Sequence, residues 1–90
     1  ESIGRYNFTK AFIGTNGISL GHGYTTPDIE EAFIKSLAID HSYVSYVLAD
    51  SSKFGKVSAV TIASLDKACI LTDRLPDASY CKQTLVKEVD

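Results

Sequence analysis

Apolar residues along the chain fall into short continuous runs that are separated by polar, glycine-containing stretches. The run at residues 10–14 (KAFIG) stops at Gly14 and leads into Thr15-Asn16-Gly17, which predicts a strand that ends in a turn. Residues 43–49 and 67–72 form two further runs that are apolar without strict alternation. Such continuous runs are typical of strands in a parallel sheet that is covered on both faces.

A helix is predicted from Thr26 to about residues 39–40. Thr26 is its expected N-cap, and Pro27 suits the first helical position because its missing N–H costs nothing there. Asp28 and Glu30 would lie near the positive end of the helix dipole. The apolar residues expected on one face of this helix, packed against a sheet, are Ile29, Ala32, Phe33 and Leu37.

The remaining segments complete an alternating order of strands and helices. Residues 57–62 (VSAVTI) are either an extra short strand or an extended crossover, and residues 76–86 are predicted to form a second helix. Val89 is then the expected start of another strand. The order strand, helix, strand, crossover, strand, helix predicts an α/β, Rossmann-like fold in which helices flank a mostly parallel sheet.

Composition and charge narrow the class of protein. Ninety residues, 44% hydrophobic and 22% charged, indicate one globular domain with a modest core. A formal net charge of -2 gives no reason to expect this segment to bind nucleic acid itself, because phosphate-binding surfaces need clustered lysine and arginine. No apolar run approaches the roughly 20 residues that cross a bilayer, so we expect no membrane contact.

The cysteines and histidines suggest neither a disulfide framework nor a metal site. Cys69 and Cys81 can pair in principle, but Cys69 lies inside an apolar run and such frameworks normally contain more cysteines. We therefore expect two buried, reduced thiols in a cytoplasmic protein. His22 lies between two glycines, far in sequence from His41, and no cysteine or carboxylate follows at ligand spacing. We expect no metal and no cofactor.

Three polar loops follow the three predicted strands. They comprise residues 14–17, 50–53 and 72–74. Ligands of open α/β sheets bind beyond the carboxyl ends of the strands, so parallel strands would bring these loops to one edge. Their hydroxyl, amide and charged groups suit a small ligand rich in oxygen atoms.

Three stretches in order carry a resemblance to a known family. They are KAFIGTNGISLGHGYTTPDIEEAFIK, VLADSSKFGK and LTD, and together they extend over about residues 8–73. This pattern resembles the C-terminal effector-sensing domain of the DeoR family of bacterial sugar-metabolism repressors, whose members are similar in fold to ribose-5-phosphate isomerase. The resemblance implies a cytoplasmic transcriptional regulator, not an enzyme, that binds a phosphorylated sugar and thereby alters its hold on operator DNA.

The resemblance also implies that the 90 residues are one partial domain. In the family a helix-turn-helix domain binds operator DNA and precedes the sensing domain, and nothing like it is present in residues 1–90. The first part of the sensing domain, with its Ser/Thr/Gly phosphate loop, is also missing from these residues. We expect residues 1–90 to be the C-terminal half of an effector-sensing domain, in a full-length protein that forms a homo-oligomer.

The loop after the second strand contains the strongest candidates for phosphate binding. Lys53 would bring an ammonium to a phosphate, with the hydroxyls of Ser51 or Ser52 as further donors and Asp50 in the same loop. In the isomerase relatives a lysine in a similar loop contacts the substrate phosphate. The alternative is that Asp50 and the serines cap a short helical turn while Lys53 is solvated. The resemblance favours the phosphate-binding interpretation.

Asn16 is the candidate for binding sugar hydroxyls. Its side-chain amide both donates and accepts, and the flanking Gly14 and Gly17 would let the backbone approach a ligand closely. From sequence alone, an Asn-Gly turn with positive φ is an equally good explanation of this pair.

Glu31 corresponds to a catalytic glutamate of the isomerase relatives. Their acidic loop is replaced here by Thr15-Asn16 and their lysine by His22, so half of an acid-base pair is missing. We expect Glu31 to bind a ligand hydroxyl or to serve structure, with a solvated helix-face carboxylate as the alternative. Thr25 and Thr26 can help to hold an anion at the helix N-terminus, although capping is the expected role of Thr26. The alternative function is a fragment of a sugar-phosphate isomerase.

Overall fold

The computed structural model describes residues 8–89, which form two sheets, one α-helix and three short 3-10 turns. The strands and the helix, in chain order, are β1 (Phe8–Gly14), β2 (Gly17–Ser19), β3 (Gly23–Thr26), α1 (Ile29–Asp40), β4 (Ser42–Leu48), β5 (Val60–Ala63), β6 (Cys69–Thr72) and β7 (Val86–Glu88). The 3-10 turns are Ser51–Lys53, Leu65–Lys67 and Ala78–Lys82. The helices in this part of the chain are too short or too polar to cross a membrane.

The first sheet has four parallel strands in the order β1-β4-β6-β7. This topology confirms the predicted α/β, Rossmann-like fold with a mostly parallel sheet. Gly14 is aligned with Leu48, and Leu48 with Leu71, so these strands end at the same edge. The loops at residues 14–17, 50–53 and 72–74 all begin at this edge, which we call the rim.

A second, three-stranded sheet was not predicted as such. Its order is β2-β3-β5 and its pairs are antiparallel. The extra short strand allowed for residues 57–62 is β5, which begins at Val60 and pairs with β3. The pair β2 and β3 is a hairpin of two very short strands, inserted between β1 and the helix.

The helix begins two residues later than predicted because Thr26 belongs to β3. Asp28 is the N-cap, and its Oδ1 accepts hydrogen bonds from Glu30 N at 2.8 Å and Glu31 N at 3.4 Å. Thr25 and Thr26 are fully buried strand residues, so the prediction that Thr26 caps the helix is wrong. The predicted helix end near residue 40 is confirmed.

The core lies between the second sheet, the helix and one face of the parallel sheet. Its apolar members include Ala11, Ile13, Ile18, Tyr24, Ala32, Ile39, Val47, Ile62 and Ile70. The Tyr24 hydroxyl lies within donating distance of two carbonyls, Ala68 O at 2.8 Å and Leu65 O at 3.0 Å. The predicted apolar face of the helix is only partly correct, since Ile29 and Phe33 are 70% and 63% exposed.

The other face of the parallel sheet is not covered by residues 8–89. On this face Phe12 stacks on Tyr46 with ring centroids 5.3 Å apart, and the neighbouring Val44 and Leu48 are also exposed. The strand sequences are therefore suited to burial on both faces, while the described part of the chain covers one.

The predicted helix at residues 76–86 is wrong. This segment forms the 3-10 turn Ala78–Lys82 and then β7, in which Val86 pairs with Ile70 of β6. The strand expected near Val89 thus begins three residues earlier. Both cysteines are free thiols, but neither is fully buried as expected, since Cys69 is half-buried and Cys81 is exposed.

Candidate functional site

The loop after β4 is a capped turn. Asp50 precedes the 3-10 turn Ser51–Lys53, and its Oδ1 accepts hydrogen bonds from the Ser52 hydroxyl and from Ser52 N, the latter at 2.9 Å. These two hydrogen bonds hold the pKa of the Asp50 carboxyl below its ordinary value of 3.8. Asp50 and Ser52 therefore do cap the turn, as one of the two sequence interpretations proposed.

Lys53 is the last residue of that turn. Its backbone N donates to Asp50 O at 3.1 Å, which fixes the start of its side chain at the rim. Its ammonium makes no ion pair or hydrogen bond with any part of residues 8–89. The side chain is half-buried and follows two hydroxyl-bearing residues. After the Ser52 hydrogen bonds, the positive charge of Lys53 is a smaller cause of the lowered pKa of Asp50, so its ammonium lies near that carboxylate without forming a direct ion pair in residues 8–89.

Asp73 joins the loop after β6 to the loop after β4. Its Oδ1 accepts hydrogen bonds from Ser51 N and from Arg74 N, each at 2.9 Å. Thr72 Oγ1 lies 3.3 Å from the same oxygen. The sequence placed residues 72–74 at the rim but gave no sign that this carboxylate bridges two loops.

The loop after β1 is held by the hairpin that follows it. Thr15 is buried, with Oγ1 2.9 Å from Thr25 O and 3.0 Å from Gly17 O, and Asn16 N donates to Thr25 O at 3.1 Å. These contacts fix the backbone of Asn16 and leave its side chain exposed. Neither Asn16 nor Gly17 has a positive φ, so the interpretation of this pair as a positive-φ turn is wrong.

A side chain at position 17 would collide with the protein's own backbone, so only glycine fits there without a shift. A Cβ at this position would lie 2.4 Å from Lys56 O and 2.8 Å from Thr25 Oγ1. The chain segment that follows Lys53 therefore crosses directly over β2. Around Gly14, by contrast, a Cβ would meet no atom within 4 Å.

Asn16 and Glu31 are connected by a group of side chains that we call the Thr26 network. Thr26 Oγ1 lies 3.2 Å from Asn16 Oδ1 and 3.4 Å from Glu31 Oε1. Lys35 Nζ lies 3.5 Å from the same Glu31 oxygen and donates to Gly14 O at 2.8 Å. Lys35 was not among the predicted site residues, and only the spacing of four residues from Glu31 along a helix could have suggested it.

The two loops that contain the predicted residues are tied to each other at Ile18. Ile18 O accepts hydrogen bonds from Gly55 N at 2.7 Å and from the Tyr80 hydroxyl at 3.2 Å. Ile18 also forms a bridge with Phe54, whose ring meets that of Tyr80 edge to face, with centroids 4.9 Å apart. Residues 50–56 thus lie against the hairpin that begins just after Asn16.

The six predicted site residues fall into two groups. In the first group, Asn16 follows β1 at the rim, Gly17 begins β2 and Glu31 lies in the first turn of α1. The second group, Asp50, Ser52 and Lys53, belongs to the loop after β4. Chemically, the first group offers amide and carboxylate groups that suit hydroxyls. The second offers an ammonium that suits an anion.

His22 takes no part in either group. It lies in the turn between β2 and β3, where its backbone N donates to Ser19 Oγ at 3.0 Å. In residues 8–89 no three side chains of His, Cys, Asp or Glu lie close enough together to hold a metal ion.

Comparison with known proteins identifies the family. The family model described as the DeoR C-terminal sensor domain matches residues 1–74. The chain is 42% identical over 91 residues to a Bacillus subtilis (strain 168) protein named uncharacterized HTH-type transcriptional regulator FruR, a match that covers 98% of the chain and 36% of that relative.

Two further relatives are also named as regulators. The HTH-type transcriptional regulator IolR of Bacillus subtilis (strain 168) is 39% identical, with 87% of the chain and 32% of the relative covered. The lactose phosphotransferase system repressor of Staphylococcus epidermidis (strain ATCC 35984) is 36% identical, with 81% and 29% covered. The chain spans about a third of the length of these curated relatives. By the family match and these identities, the chain belongs to the family of DeoR C-terminal sensor domains.

Proposed function

We propose that this chain is the effector-sensing part of a transcriptional repressor of sugar metabolism and that it binds a phosphorylated sugar at the rim. The single observation that carries the proposal is the Lys53 ammonium, which has no ion-pair partner in residues 8–89 and extends from a turn at the rim that Asp50 caps. An ammonium in this position suits a phosphate group.

The groups around Lys53 support a ligand that also contains hydroxyls. Ser51 and Ser52 supply hydroxyls in the same turn, and the loop of Asn16 is tied to this turn through Ile18. In this assignment Lys53 binds the phosphate, and Asn16 and Glu31 hydrogen-bond the sugar. Asp50 and Gly17 act through the backbone, because Asp50 caps the turn and Gly17 gives room for the crossing segment.

The relatives support a regulatory role for the sensing event. One of them is named as a repressor of a lactose phosphotransferase system and two others as HTH-type regulators. In the proposed full-length protein, which is a cytoplasmic homo-oligomer, effector binding changes the affinity of a separate domain for operator DNA. By linkage, operator DNA must then change the affinity for the effector by the same factor.

The proposal is tested with the full-length regulator and a panel of compounds. The panel contains fructose 1-phosphate, fructose 6-phosphate, tagatose 6-phosphate, free fructose and inorganic phosphate. A true effector raises the melting temperature, by an amount that grows with the logarithm of its concentration once this exceeds Kd, and it releases operator DNA. We expect at least one sugar phosphate to do both, while free fructose does neither. A panel that changes neither property refutes the proposed ligand class.

Lys53→Ala is the sharpest variant for this test, with Lys67→Ala as its matched control. Each lysine is the last residue of a 3-10 turn, but Lys67 lies just before β6, at the opposite edge of the parallel sheet. Loss of a charged hydrogen bond to phosphate should weaken effector binding by about 10- to 100-fold. Lys67→Ala should leave affinity unchanged, and neither variant should unfold the protein. Equal affinities in the two variants contradict the assignment of Lys53.

The same incubations test the alternative, isomerase-like function. We expect no aldose-ketose interconversion, because the loop after β1 offers Thr15 and Asn16 in place of a second acid beside Glu31. Turnover at enzyme-like rates would replace the sensing proposal with a catalytic one.

A further inference from the structure

Thr26 lies where the two proposed sugar-binding side chains meet. It is the last residue of β3, is paired with Val60 of β5 and has no exposed surface. Its Oγ1 lies 3.2 Å from Asn16 Oδ1 and 3.4 Å from Glu31 Oε1. A hydroxyl has one hydrogen, so Thr26 can donate to only one of these oxygens at a time.

We propose that Thr26 is a positioning residue that makes ligand binding at Glu31 and at Asn16 cooperative. This inference rests on the proposed function. In the free protein the two oxygens compete for the same hydrogen, and a carboxylate accepts more strongly than an amide. A ligand hydroxyl that donates to Glu31 satisfies the carboxylate and leaves the Thr26 hydrogen to Asn16.

The consequence concerns the orientation of the Asn16 amide. When Thr26 donates to Asn16 Oδ1, the amide nitrogen is directed away from Thr26 and its two N–H groups can each donate to a ligand oxygen. Lys35 keeps Glu31 in place during this exchange, because it contacts Glu31 and is itself bound to Gly14 O. The network thus favours a ligand that presents a donor hydroxyl beside an acceptor oxygen, as neighbouring carbons of a sugar do.

A double-mutant cycle for effector affinity tests the coupling in the full-length regulator. Asn16→Ala, Glu31→Gln and the double variant are compared in three backgrounds: wild type, Thr26→Ser and Thr26→Val. The probe is the member of the sugar-phosphate panel that raises the melting temperature most. With a hydroxyl at residue 26, we expect the loss of effector affinity in the double variant to differ by about 5-fold from the product of the two single losses, as for residues in one hydrogen-bond network.

Thr26→Val keeps the shape of the side chain and removes the hydroxyl. In that background the losses should be additive within about 2-fold, whereas Thr26→Ser should restore the non-additivity. Additive losses in wild type, or the same non-additivity in Thr26→Val, overturn the inference. If Thr26→Val does not fold, Thr26→Ala takes its place, and the wild-type cycle alone can still refute the coupling.

A measurement without ligand separates this inference from the proposed function. The side-chain NH2 signals of Asn16 are followed by NMR in protein labelled with 15N-asparagine, and they are assigned by their loss in Asn16→Ala. Glu31→Gln should shift these signals in wild type and in Thr26→Ser, but not in Thr26→Val. No shift in wild type refutes the coupling whether or not a sugar phosphate binds. A shift without any sugar-phosphate binding preserves the coupling and refutes only the proposed effector.

Discussion

Gly17→Ala and Gly14→Ala are a matched pair of substitutions on the two sides of the Thr15-Asn16 loop. Sequence alone treats the two glycines alike, since both border the same polar turn. The structure separates them. A methyl group at Gly17 would lie 2.4 Å from Lys56 O, while one at Gly14 would meet nothing within 4 Å.

The expected change in the free energy of unfolding for Gly17→Ala is the difference between the cost of overpacking and the gain from a more restricted unfolded chain. Ordinary contact with a Cβ begins near 3.4 Å, so either β2 or the crossing backbone at Lys56 must move by about 1 Å. Overpacking of this kind costs about 1–3 kcal/mol, and replacing glycine returns about 0.4–1 kcal/mol by restricting the unfolded chain. The net loss should be about 1–2 kcal/mol.

For Gly14→Ala only the favourable term remains, so stability should rise by up to about 1 kcal/mol. The assay is thermal unfolding of both variants and wild type under identical conditions. For a domain of this size, 1 kcal/mol corresponds to about 4–8 °C. We expect Gly17→Ala to melt about 5–15 °C below wild type and to bind effector more weakly, and Gly14→Ala to melt at or above it. Equal midpoints for the two variants would refute the close approach at Gly17.

Two further predictions concern titrating groups. Ser52→Ala should move the pKa of Asp50 upward toward 3.8, because the hydroxyl that stabilises the carboxylate is lost. A carboxyl NMR titration measures this pKa, and Ser51→Ala is the control that should leave the pKa of Asp50 unchanged. A carboxyl with a lowered pKa stabilises the fold above its unfolded pKa, so the variant should lose less stability as acid is added. Burial raises the pKa of the Tyr24 hydroxyl above its ordinary value of 10.0. The neutral hydroxyl therefore contributes to the stability of the fold below about pH 10, and this contribution is lost as the pH rises further. Tyr24→Phe should lower the free energy of unfolding by about 1 kcal/mol at pH 7 and flatten the decline of stability between pH 10 and 11. Tyr43→Phe, at an exposed position, should change neither quantity. If stability falls as steeply in Tyr24→Phe as in wild type over this pH range, burial of Tyr24 is not the cause of the decline.

The parallel sheet could be predicted because its strands are continuous apolar runs. The run at residues 43–49 differs from β4 by one residue at each end. A strand that lies in the middle of a parallel sheet needs apolar residues on both faces, and this requirement is visible in the sequence without knowledge of its partners.

The hairpin of β2 and β3 could not be predicted in the same way. Its strands have three and four residues, which is too short for a periodic pattern. Thr26 and Asp28 are both good N-cap residues, and only the pairing of Thr26 with Val60 decides between them. In residues 76–86 the residues Pro76-Asp77 correctly predicted the start of a helical segment, and Asp77 is its N-cap. The segment is only a short 3-10 turn, because the chain must be extended by Val86, which pairs with Ile70.

The location of the candidate site followed from topology, but its internal connections did not. Residues 14–17 and 50–53 had to lie at one edge once the strands were parallel. The hydrogen bonds between Thr26, Asn16 and Glu31 depend on the hairpin, and so they could not be predicted without it. Lys35 could not be predicted because its sequence position shows only that it lies on the helix. Its contact with Gly14 O depends on how the helix packs against the loop after β1.

The carbonyl of Ile18 gives the site a mechanical property. One oxygen atom holds the segment of Gly55, the buried strand β2 and the hydroxyl of Tyr80, whose turn leads into β7. A ligand that draws residues 50–56 inward must therefore either break this junction or pull the outermost strand of the sheet along with it. Because Ile18 has no exposed surface and protein interiors are close-packed, we expect movement of the loop to shift Tyr80 and, through its turn, β7 as well.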